Sequence, residues 1–203
     1  MIITYVGKEQ CDILYHLVKI GKKLGKSIVV FDNSITHDFY MMFDKNDGKD
    51  VIEQNNLVVC KDRVFKREEK TYDYVFVYEG LYPKYNGFID IAIVAPSYAK
   101  QEWDMIKPHL ENCKMGNIKT FLVLRDRVNR KITPRIVKKM LNIEPYYSTS
   151  IELSDKDYSA YVCMTHNKKA VLPKKGELED TIFGLASEIY HLDDIKKLRN
   201  LVK

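Results

Sequence analysis

Residues Ile2-Ile3-Thr4-Tyr5-Val6-Gly7-Lys8-Glu9-Gln10-Cys11 decide how this chain is read. Ile2 to Val6 is an apolar run that reads as a buried strand. Beyond a short polar loop, Ile13, Leu14, Leu17, Val18 and Leu24 recur at helical spacing, which predicts a helix over 10–24 stopped by Gly25. A strand, loop and helix at the head of an α/β chain is where phosphate-binding glycines sit, with a lysine opening the helix. The free amides and the dipole of the helix N-terminus favour an anion there. This loop holds one glycine, an acid at Glu9, and no Gly-Lys-Ser or Gly-Lys-Thr. The scaffold is that of a nucleotide switch, and the residues that would hold phosphate are missing from it.

Working outward, Ser27-Ile28-Val29-Val30-Phe31 is a continuous apolar strand of the kind found in parallel sheets, leaving through Asp32-Asn33-Ser34. Residues 35–70 carry little pattern beyond a short strand at Leu57–Cys60, a strand or hairpin piece at Val64-Phe65 and a surface turn at Asp44–Gly48. Two further strands follow, Tyr74–Tyr78 and Ile89–Ala95, the second closed by Pro96. A helix is predicted from Ser97, as N-cap, to Glu111, with Trp103, Ile106 and Leu110 on one face. Ile118–Leu124 is a strand, Thr133-Pro134 opens a short helix to Leu141, and 143–153 is extended. Helices are predicted over 155–166 and 177–190, then an amphipathic tail over 191–203 with Ile195, Leu198, Leu201 and Val202 against lysines. Strands alternating with helices imply a three-layer α/β domain over 1–190, a mostly parallel sheet with helices on both faces.

Composition narrows the classes. At 45% hydrophobic and 30% charged, 203 residues can bury one sizeable core. No apolar run approaches the roughly 18 residues of a membrane span, and the head of the chain lacks the pattern of a signal peptide, so a cytoplasmic protein is expected. Cys11, Cys60, Cys113 and Cys163 are spread without a Cys-x-x-Cys pair and read as free thiols, with no metal site. A net charge of +5 divides among short clusters, Lys22-Lys23-Lys26, Arg125-Arg127-Arg130-Lys131 and Lys196-Lys197-Arg199, which read as solvated faces more than as a nucleic-acid footprint. The five histidines are scattered, with His37-Asp38 the only adjacent His and acid pair. Fourteen tyrosines are many for this length, and Leu81-Tyr82-Pro83-Lys84-Tyr85 reads as a loop suited to a protein partner. The tail is short enough that packing explains it better than contact with a membrane surface through Leu198 and Leu201.

The order of these segments resembles the ParA/MinD-like family of P-loop ATPases, which includes pilus and secretion localisation proteins of the CpaE/TadZ type. Leu24-Gly25-Lys26-Ser27-Ile28-Val29-Val30-Phe31-Asp32 is similar to the family's second strand, and Tyr72-Asp73-Tyr74-Val75-Phe76-Val77 to the opening of its Walker B strand. Asp90–Pro96 is similar to the next strand, Leu122-Val123-Leu124 to the one leading toward the base-binding region, and Asn167–Pro173 to a segment near the family's end. The resemblance places Gln10 where the phosphate-binding lysine belongs and Cys11 where the magnesium-binding hydroxyl belongs. Tyr5 stands near the place of the additional signature lysine, and Tyr78 stands where an aspartate is expected, with Glu79 beside it.

Losing lysine, hydroxyl and aligned carboxylate together removes most of the charge stabilisation that phosphoryl transfer needs. The chain is therefore expected to be no enzyme and to take no cofactor. It would be a non-catalytic scaffold or adaptor that positions or assembles a pilus or secretion machine through protein partners, and the resemblance implies a homodimer. The alternative is a nucleotide switch binding ATP or ADP with magnesium through an atypical pocket of Gly7, Lys8, Glu9, Gln10, Cys11, Asp32 and Glu79, in which Lys8 and Glu79 take over the lost roles. A third reading is a DNA-binding, partition-type protein.

Overall fold

The computed structural model describes residues 1–43, 49–63, 72–127, 132–152, 154–167 and 176–202. Eight strands are present: β1 Ile2–Gly7, β2 Ile28–Asp32, β3 Val51–Gln54, β4 Leu57–Lys61, β5 Tyr74–Gly80, β6 Ile91–Ala95, β7 Lys119–Arg127 and β8 Tyr147–Glu152. They form one sheet in the order β3-β4-β2-β5-β1-β6-β7-β8. Every neighbouring pair is parallel except the β3–β4 hairpin at one edge. The apolar head of the chain thus lies in the middle of the sheet. There β1, β2, β5 and β6 are buried along their whole length, as unbroken apolar runs require.

Seven helices complete the described fold: α1 Asp12–Lys23, α2 Asp38–Met41, α3 Lys100–Met115, α4 Pro134–Leu141, α5 Asp155–Asn167, α6 Glu177–Tyr190 and α7 Ile195–Val202. Strand alternation sorts them into two layers. Ile3, Tyr5, Val30, Phe76, Ile93 and Val123 face α1, α2, α5, α6 and α7 in the larger core. Val6, Val94, Leu122 and Leu124 face α3 and α4 on the other side, against Trp103, Ile106, Leu110, Val137 and Leu141. The expected three-layer α/β sheet is what the chain forms. Gly21 shows how closely the larger layer is packed, since a Cβ there would lie 2.6 Å from both Ile28 and the Tyr190 hydroxyl.

Two local readings change, and the packing expected of the tail is seen at Leu198. Ser97 is not an N-cap: the helix begins at Lys100, and the Ser97 amide is bound by the Glu102 carboxylate at 2.6 Å. The faintly patterned region holds β3 and α2, an edge strand only half buried and a single helical turn. Leu198 of the tail helix is buried in the larger core beside α6. Expectations for Asp44–Gly48, Val64-Phe65, Arg130-Lys131 and the part of the 167–173 segment from residue 168 onward lie outside the described residues. No helix among the described residues is long and apolar enough to cross a membrane.

Candidate functional site

The loop between β1 and α1 opens at the carboxyl edge of the sheet, where open α/β folds bind ligands. Gly7 ends β1 at φ +138°, and a Cβ there would come within 2.3 Å of the Ala95 backbone. Only glycine lets β1 and β6 converge so closely. The Lys8 amide then donates to Ala95 O at 3.0 Å, and the Lys8 ammonium pairs with Asp126 at the end of β7.

The Gln10 amide donates to Lys8 O at 2.8 Å, and carboxylates of the chain itself hold the segments around the loop. Glu9 accepts the amides of Ile35 and Thr36 at 3.3 and 3.1 Å, tying the loop to the turn after β2. The Cys11 amide is bound by Asp38 at 2.9 Å, and Asp38 also accepts the Tyr161 hydroxyl. At the helix N-terminus, Asp12 turns its own carboxylate onto the Ile13 amide at 2.7 Å and accepts the buried Gln10 side chain at 3.0 Å. Arg125 grips the same carboxylate with both terminal nitrogens, at 2.6 and 2.8 Å, and each side chain of this pair is only 4% exposed. Burial works against the Arg125 charge, but Asp12, Tyr5 and Asp126 together outweigh it and raise the affinity of the guanidinium for its proton. A helix N-terminus that attracts an anion therefore already has one, supplied by the sequence.

The other candidates divide between the two faces of the sheet. Asp32 lies on the α1 side, fully buried, accepting the Ser34 amide and hydroxyl and the Tyr40 amide. Burial lifts its carboxyl to about 6 in spite of those bonds, and His37 Nδ1 stands 3.9 Å away. Cys11 points its thiol at the Met42 sulfur at 3.7 Å, and burial, with Asp38 beside it, pushes the thiol well above its usual range. Tyr5 and Tyr78 meet edge to face, 5.5 Å apart, beneath the loop.

Glu79 is not among them. Tyr78 faces α1, and one residue later Glu79 turns to the opposite side, where its carboxylate accepts the amides of Lys84 and Tyr85 and folds the 81–88 segment. The structure thus gathers Gly7, Lys8, Glu9, Gln10, Cys11 and Asp32 around one mouth and places Glu79 apart. Sequence reasoning passed over Asp12 and Tyr161 and noted Asp38 only as the neighbour of His37; it read Arg125 as part of a solvated basic face, and the structure corrects that by burying Arg125 against Asp12. A signal for Arg125 was present: alternation from Phe121 and Val123 puts it on a buried face, where a guanidinium requires a partner.

In this arrangement the amides of Lys8, Gln10, Cys11 and Ile13 are all engaged and the buried thiol at Cys11 offers magnesium no oxygen, so a nucleotide triphosphate would enter by displacing these bonds. Among the described residues no group of three or more His, Cys, Asp or Glu is placed to hold a metal ion.

No family model matches the sequence, and no curated protein matches it. Solved structures do. A ParA family ATPase from Chlorobium tepidum TLS superposes with a TM-score of 0.65 at 14% identity, covering 91% of this chain and 96% of that one. The MinC:MinD cell division protein complex of Aquifex aeolicus gives 0.65 at 13%, covering 94% and 96%. A putative plasmid partition protein of Borrelia burgdorferi B31, bound to AMPPNP, gives 0.55 at 14%, covering 94% and 97%.

At such identities the likeness is one of fold, and the fold is that of ParA/MinD P-loop ATPases. Two expectations are corrected by it. The chain was expected to be no enzyme and to take no cofactor. One protein of this fold is a ParA family ATPase and another was solved with AMPPNP, so the substitutions at Gln10 and Cys11 do not by themselves rule out an enzyme or a cofactor.

Proposed function

We propose that the chain is a ParA/MinD-like positioning protein, one that localises or assembles a cytoplasmic machine, such as a pilus or secretion apparatus, through contacts at the carboxyl edge of its sheet. What carries this reading is the pairing of that fold with exposed apolar side chains beside the closed mouth. Ile35 is 66% exposed next to the Glu9 tether, and Tyr82 is 49% exposed just beyond Gly80, whose Cβ position would lie 2.6 Å from the Glu9 carboxylate. Isolated exposed apolar residues are ordinary, but two on adjoining loops at the ligand-binding edge form the beginning of an interface. A second copy of the chain is one partner this edge could take.

The test is imaging of a fluorescent fusion in the native cell. Discrete localisation, lost on changing Ile35 and Tyr82 to serine together, supports the reading. Uniform distribution of the unaltered protein overturns it.

A second reading is favoured by the AMPPNP-bound partition protein of the same fold: a nucleotide switch with an atypical loop, Lys8 being its nearest cation. Calorimetric titration with ATP and ADP, with and without magnesium, decides it. Heat that disappears in Lys8→Ala supports the switch, and no heat with either nucleotide removes it.

A further inference from the structure

Away from the mouth, near the amino end of β7, a groove of about 710 Å³ runs between α3 and α4. Leu110, Cys113 and Ile143 are buried beneath it, and Lys114, Arg135, Lys138 and Lys139 line it together with a single acid, Glu144. None of these four cations is ion-paired among the described residues. Helix dipoles explain part of the arrangement: Lys114 lies in the last turn of α3, and Lys138 and Lys139 in the last turn of α4, where carbonyl ends favour cations. They do not explain Arg135, which sits in the first turn of α4, where the dipole opposes it. Four like charges held around a concavity are mutually unfavourable until something negative enters.

The lining also indicates what enters. Among the described residues it contains no aromatic ring on which a nucleic-acid base could stack. Its floor is apolar, which a phosphate backbone does not use. Its concave shape does not match the convex surface of a duplex. We infer that the α3–α4 groove is a docking site for an acidic segment of a partner protein, one carrying at least one apolar side chain for the floor. The inference does not depend on how the mouth on β1 and α1 is read.

The experiment is fluorescence anisotropy of a labelled peptide of Leu-Glu-Glu repeats with the full chain at about 150 mM salt, where exposed charges more than ~8 Å apart are largely screened. Micromolar binding is expected. It should weaken about tenfold when Lys138→Glu and Lys139→Glu are combined, since each tenfold corresponds to only ~1.4 kcal/mol. Arg135→Ala, which removes one charge without reversing any, should give a smaller loss with the fold intact by circular dichroism. Reversing Lys22 and Lys26, which lie on and just after α1 across the sheet, should leave binding unchanged. Failure of the peptide to bind, or equal loss in the Lys22 and Lys26 control, overturns the proposal. So does a duplex oligonucleotide that binds more tightly than the peptide and is lost in the same groove variant.

Discussion

The mouth and the α3–α4 groove are both places where charge gathers, and they handle it in opposite ways. At the mouth each cation has its anion: Arg125 holds Asp12 and Lys8 holds Asp126. Along the groove four cations stand without a partner among the described residues. Burial makes the difference. An unpaired charge in a dry interior costs several kcal/mol, so a buried guanidinium without its carboxylate is not tolerated. A charge at the surface is solvated and can stay unmatched, available for binding. Charge that the chain neutralises for itself belongs to its own stability, and charge it leaves open belongs to its interactions.

The comparison breaks first at Arg125. Arg125→Met should cost ~3–5 kcal/mol by denaturant unfolding, because it strands Asp12 beneath the loop. Combining it with Asp12→Leu should recover much of that loss, since the buried charge leaves together with its partner. If the single change costs under ~1 kcal/mol, the pair is not the anchor of the mouth and the contrast with the groove fails.

Asp32 gives a smaller effect with a defined pH signature. Its carboxyl is raised to about 6 from an ordinary value near 3.8. Between those values the folded chain keeps a proton that the unfolded chain releases. Stability should therefore fall as pH rises through this window, by ~3 kcal/mol. His16 and His109, both lowered to about 4 by burial, act in the opposite direction over much of the same range. The Asp32 contribution must accordingly be read as the difference between the wild type and Asp32→Asn, measured from pH 4 to 7. A constant difference across that range would refute it. At the small end, combining Lys138→Glu with Lys139→Glu should lower unfolding stability by about 1 kcal/mol, the loss of two charges favoured at the carboxyl end of α4. A larger loss would mean that the groove is built into the fold and is not a surface held open for a partner.

Much of this was legible in the sequence. Ile2–Val6, Ile28–Phe31, Tyr74–Tyr78 and Ile91–Ala95 are central strands buried on both faces, so their apolar runs are unbroken and the α/β order follows. Val51–Gln54 escaped notice because an edge strand that is half exposed needs no apolar run. The substitutions at Gln10 and Cys11 could be read directly. The carboxylates that fill the mouth could not, because Asp12 and Arg125 lie 113 residues apart and only the fold brings them together. Glu79 misled for a different reason. It is adjacent to Tyr78 in sequence, but in a strand the next residue faces the other way.

The central position of β1 also bears on how the protein is made. The amide of Ile2 is held by Asp90, 88 residues further on, and β1 lies between β5 and β6 with no earlier strand beside it. At ~5–20 residues per second a ribosome needs roughly 5–20 s to supply those partners. Throughout that interval the most apolar stretch near the start of the numbering waits unpaired, while β2 can pair with β4 as soon as the 57–61 segment is out. During synthesis the strand at the middle of the sheet is thus the one that waits longest for a first partner among the described strands, and it is the segment a chaperone would have most reason to hold.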